Sequence, residues 1–164
     1  MRRLVLIVVL AAISMGSRPS IGGAQTSDIS GLTGIKSLVV IIEELPPGAT
    51  RLGVTDEMIR TDVELKLRLA GIPVLTAMDH PYAPALHIEI NALDDSAASY
   101  VEVDLEQNAK LERNGAFIPL AITWSHGILI QNPSGDFIRD RLKDFMDRFL
   151  NEWLAANPTG RRSP

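Results

Sequence analysis

The chain has 164 residues, a formal net charge of −4 and no cysteine. It is long enough for one domain with a real hydrophobic core. Disulfides and thiol chemistry are excluded, and the acidic balance argues against nucleic acid and anionic membranes, both of which want basic patches.

Met1-Arg2-Arg3 precedes an unbroken apolar run from Leu4 to Ile13, and Gly22-Gly23-Ala24 supplies a small-x-small cleavage pattern. This reads as a secretory signal peptide over 1–24, with Gln25 the first mature residue. The run is short of the roughly 20 residues that span a bilayer. Cleavage would remove Arg2, Arg3 and Arg18 but no acid, taking the net charge from −4 to −7. With no cysteine to acylate, the expected product is a soluble periplasmic or secreted protein with no transmembrane segment.

Residues 25–36 are rich in Ser, Thr, Gly and Asp and read as a flexible lead-in. The domain proper is expected over 37–158, with 159–164 a disordered tail. Leu38-Val39-Val40-Ile41-Ile42 lacks alternation, which suits a strand covered on both faces, and Pro46-Pro47-Gly48 ends it. Thr55 caps a helix that Gly71 closes. Its stripe is Ile59, Val63, Leu67 and Ala70, widened by Met58, Leu65 and Leu69. Ile72 to Leu75 is a short edge strand, because Pro73 cannot donate to a ladder. After a loop with Asp79-His80-Pro81, the strand Ala85 to Leu93 puts His87, Glu89 and Asn91 on one face.

From Tyr100 to Ile130 the pattern alternates about Asn114-Gly115, the sign of a two-residue type I′ hairpin. That turn pairs Leu111 with Ile118, Ala109 with Leu120, Leu105 with Trp124 and Val101 with Ile128, and sets Gln107 opposite Ile122. Pro119 then falls opposite Lys110 with its missing N–H directed outward, which makes the last strand a sheet edge. On this register Trp124 belongs to the core, and Thr123→Ala is expected to be nearly neutral. Asp136 to Ala156 is a long amphipathic helix with the stripe Ile138, Leu142, Phe145, Phe149 and Trp153. The expected fold is α+β: a two-layer sandwich of order β-α-β-β-β-β-α. Its mostly antiparallel five-stranded sheet has strand order 2-1-3-4-5 and carries two helices on one face.

No glycine phosphate loop, G-x-S-x-G elbow or H-E-x-x-H motif is present. Ser125-His126 are strand neighbours, whose side chains point to opposite faces, and Asp79-His80 lies in a proline-rich loop. His126 falls on the core face opposite Val103. It reads as a buried neutral histidine, or as a ring turned outward by a bulge at Gly127. The best candidate surface is acidic: His87, Glu89, Glu102, Asp104 and Glu106. A loop over 94–97 pairs Glu89 with Glu102 and His87 with Asp104, so carboxylates oppose each other. Solvent, a divalent cation or a basic partner would each relieve that repulsion. No cofactor is implied.

The segment from "VTDEMIRTDVELKLRLAGIPVL" to "DFMDRFLNEWLAANP" resembles a group of exported bacterial proteins to which no activity is assigned. The residues that carry the resemblance are Thr61 to Leu65 leading to Ala70-Gly71-Ile72, Thr123-Trp124, and Phe149-Leu150-Asn151 through Asn157-Pro158. The element order is also similar to small periplasmic accessory domains of outer-membrane assembly. The resemblance implies no activity, cofactor or catalytic residue; the expectation drawn from the whole sequence is an envelope domain that binds another protein through its sheet edge or open face. A small-molecule or divalent-cation module is the alternative, and a hydrolytic enzyme comes third.

Overall fold

The computed structural model describes residues 29–95 and 97–158. The signal peptide, its cleavage after Ala24 and the tail over 159–164 lie outside these residues. The elements are a 3-10 turn Ile29–Leu32, strand β1 Leu38–Ile42, helix α1 Pro47–Arg51, helix α2 Asp56–Leu69, strand β2 Val74–Leu75, strand β3 Ala85–Ala92, strand β4 Ala98–Lys110, strand β5 Phe117–Gln131 and helix α3 Gly135–Ala156. The fold is α+β. Its one sheet has the order β2-β1-β3-β4-β5, the order expected from the two proline-bearing strands. Strand β1 runs parallel to β2 and β3, while β3, β4 and β5 form antiparallel ladders.

The core lies between the sheet and helices α2 and α3. Leu38, Val40, Leu86, Ile88, Val101, Val103 and Leu105 face Ile59, Val63, Leu67, Ile138, Leu142 and Phe149. Thr55 caps α2 by accepting from Met58 N at 3.3 Å, and Ser134 caps α3 by accepting from Phe137 N at 3.2 Å. The widening of the α2 stripe is corrected. Leu65 and Leu69 are exposed, because each sits two residues, about 200°, from a buried position.

Two segments are more structured than their composition suggested. The lead-in joins the domain from Ile29 onward, with Leu32 and Ile35 buried in the core. Asn157 holds it there: its amide donates to Leu32 O at 2.9 Å, and its Oδ1 accepts from Gly34 N at 2.7 Å. Pro46-Pro47-Gly48 does end β1, but Pro47 also opens a short helix, where its fixed φ suits the first turn.

The hairpin departs from expectation at its tip. Leu111 N donates to Ala116 O at 2.9 Å and Gly115 N to Leu111 O at 2.7 Å, which encloses four residues rather than two. Gly115 takes a positive φ of 68° but Asn114 does not, so the turn is not type I′. Near the tip Ala109 pairs with Ile118 and Lys110 with Phe117, and Gln107 faces Ala121. Two irregularities, beside Leu105/Glu106 and Gln107/Ala109, then restore the pairs Leu105/Trp124 and Val101/Ile128. Leu120 stands at the second with φ 51°, and Thr123 is the extra residue at the first. The expected base of the hairpin is therefore right and its tip is not. Pro119 lies within the irregular stretch rather than opposite Lys110, although β5 is the edge all the same.

Candidate functional site: an acidic sheet face beside an open edge

The helices cover one face of the sheet and leave the other to solvent. Leu93 N donates to Ala98 O at 3.0 Å, so the loop holds four residues, and Glu89 stands opposite Glu102 and His87 opposite Asp104. All five acidic-face residues expected from the sequence come together here. Glu43 joins them from the end of β1. His87 lies between two carboxylates, with Nε2 at 3.2 Å from Glu43 and Nδ1 at 3.3 Å from Glu106.

Asp104 is the crowded member. Its Oδ1 is shielded from solvent and has no hydrogen-bond partner. Burial pushes its carboxyl above the usual aspartate range, and Glu102 and Glu106 push the same way. The Ser125 hydroxyl and His87 pull against them. That hydroxyl donates to Glu102 Oε1 at 3.2 Å, so it cannot fully serve Asp104 as well. Among the described residues, no three His, Asp or Glu side chains are arranged to hold a metal ion.

The raised Asp104 makes a pH prediction. The native state holds this proton more tightly than the unfolded chain does. The resulting stability is present below the unfolded value of 3.8 and is lost as pH rises through the folded value. Asp104→Asn is therefore expected to stabilise the domain at neutral pH by some tenths of a kcal/mol, a small figure because solvent screens a partly exposed carboxylate. Urea unfolding at pH 7 and at pH 3.5 checks this: the gain should shrink at the lower pH. A destabilised variant at pH 7 would contradict it.

The remaining candidates do not assemble. Ser125 faces solvent on the open side. His126 stays on the helix side, opposite Val103, with its ring edge-on to Phe145 at 4.6 Å. No bulge turns the ring out. Burial holds the imidazole below its ordinary range, and Arg148 adds to that. Asp79 and His80 lie in exposed turns. Gln107 donates to Gly31 O and to Thr123 Oγ1, both at 2.7 Å, which ties the 3-10 turn to the first irregularity of β5.

Two features escaped the sequence reading. The first is an apolar recess of about 390 Å³ at one end of the open face, walled by Leu93, Tyr100 and Leu129. Tyr100 lies over Gly127: a Cβ there would fall 2.5 Å from the phenol oxygen. Partial burial pushes the Tyr100 hydroxyl up, as do its hydrogen bond to Glu102 and the nearby carboxylates. An aromatic residue diagonal to a strand glycine was a legible signal for this packing.

The sequence placed β5 at a sheet edge, as observed; the second feature it did not reveal is which half of that edge is regular. From Phe117 to Gln131 it carries no charged residue. Its tip half is blunted by Pro119 and the two irregularities, which is how exposed edges are usually protected. The half from Trp124 to Gln131 is regular. Asn132 N donates to Ala97 O at 2.8 Å, and pairing alternates from there. Ser125, Gly127, Leu129 and Gln131 thus turn their backbone N–H and C=O to the open side. Ile128 and Leu129 are exposed, Leu129 by 66%.

No protein-family model matches the chain, and no curated protein matches it.

Proposed function

We propose that the protein is an exported cell-envelope domain that binds another protein by adding a strand to the regular half of β5. One observation carries this reading: an uncharged edge strand that leaves Ser125 to Gln131 unprotected by proline, lysine or a bulge. Unprotected edges of this kind template further strands. The basic start, the apolar run and the Gly22-Gly23-Ala24 pattern support export. Among the described residues, no helix is long and apolar enough to cross a membrane. The resemblance to exported bacterial proteins supports the same location.

Leu129→Pro tests the binding. Proline there removes an outward N–H that β4 does not use, so the fold should survive while strand addition fails. After cross-linking in intact native cells, a partner should co-purify with the wild-type protein from the osmotic-shock fraction and be lost with the variant. Equal recovery with both, or a protein retained in the cytoplasm, would refute the proposal.

A further inference from the structure

Resting on that reading, we infer that the strand added to β5 belongs to a basic partner. It would present an apolar side chain and, four residues on, a lysine or arginine on the open face.

An added strand would lie about 10 Å, two strand spacings, from β4. Between it and the β4 carboxylates stand two outward-facing residues of β5: Ser125, opposite Asp104, and Gly127, opposite Glu102. Neither raises more than a hydroxyl of its own, but the Tyr100 ring lies over Gly127, so the open path to the carboxylates runs over Ser125. A long cationic side chain beside Ser125 can therefore cross β5 and reach Glu102 and Asp104. An acidic or short side chain there gains nothing.

Four residues along the same face, the added strand comes beside Leu129. There Leu129, which is 66% exposed and forms the β5 wall of the apolar recess, meets an apolar side chain. Side chains on the helix side of the added strand would meet Ile128, which is 38% exposed.

The open face as a whole supplies the complementary charge. Glu43 and Glu106 flank His87, Asp104 stands opposite it, and Glu89 and Glu102 pair further along the same face. Glu102 opposite Glu89 is a like-charge pair that a cation would relieve. A second copy of the chain fits less well. Its β5 brings no cation to this row, and its net charge of −4 repels.

The test uses the synthetic peptide Val-Leu-Val-Thr-Val-Lys-Val and two versions in which Gln or Glu replaces Lys. Binding is followed by calorimetry and by amide chemical shifts of the protein. The Lys peptide should bind saturably and move the amides of Ser125 to Gln131, and the Glu peptide should bind at least tenfold more weakly. The double variant Glu102→Gln, Asp104→Asn, which removes repulsion and should fold, should weaken the Lys peptide about tenfold and leave the Gln peptide unchanged.

Equal binding of all three peptides at β5 would overturn the basic partner and leave the edge reading standing. Peptides that leave the β5 amides unmoved would overturn both. Concentration-dependent self-association through those same amides would replace the basic partner with a second copy.

Discussion

Trp124→Ala is expected to cost about 3–5 kcal/mol of stability, the usual loss for a large core aromatic. Trp124 is only 6% exposed although it sits on the edge strand, because α3 reaches over it. Its ring stands edge-on to Phe149 at 5.2 Å, and its indole N–H donates to Glu152 Oε2 at 2.6 Å. Truncation opens a cavity beneath α3 and removes a charge-assisted hydrogen bond. Thr123→Ala, by contrast, was expected from the sequence to be nearly neutral. Its hydroxyl in fact donates to Leu105 O at 3.2 Å and accepts from Gln107, so a cost of about 1 kcal/mol follows. Urea unfolding of the two variants checks the pair. Equal losses would contradict the register that places Trp124 opposite Leu105.

The second large effect is expected at Gly135, the first residue of α3. A Cβ there would fall 2.1 Å from Leu52 O and 3.1 Å from Leu52 C. Both are backbone atoms of the turn before α2, and backbone cannot rotate away as a side chain can. Gly135→Ala should therefore force α3 off its seat at a cost of about 1–3 kcal/mol, as overpacking does. A shift in the unfolding midpoint measures it. An unchanged midpoint would mean that the start of α3 is not held against Leu52.

Much of this fold was legible because independent signals agreed. Pro73 marked its strand as an edge, and the apolar alternation fixed which residues of β3, of β4 up to Leu105 and of β5 from Trp124 onward face the helices; toward the hairpin tip it failed, and Leu120 and Ile122 are exposed. The acidic face followed from one loop length, since four residues between Leu93 and Ala98 set Glu89 against Glu102.

Other features had no local signal. Leucine rarely takes the left-handed conformation that Leu120 adopts at φ 51°. Nothing in the pattern therefore marked the irregularity that shifts the hairpin tip. Asn-Gly suggested a two-residue turn. Instead Asn114 accepts from Ala116 N at 3.1 Å within a longer loop. Leu32 and Ile35 were hidden in a Ser/Gly-rich segment, and their burial follows from long-range contacts with the end of α3 and with Gln107 and Thr123 of the hairpin. Glu43 belongs to the acidic face through the pairing of Ile41 with His87. The apolar run of β1 does not reveal that pairing.

The central claim is that the regular half of β5 is where a partner docks. Site-specific photo-cross-linking in intact native cells tests it most directly, with the photoreactive residue at Leu129, at Ser125, or at Asp140 on the solvent side of α3. One protein partner should be captured from Leu129 and Ser125 and not from Asp140, and Leu129→Pro should abolish capture from Ser125. Capture from Asp140 alone, or from all three positions alike, would contradict the claim.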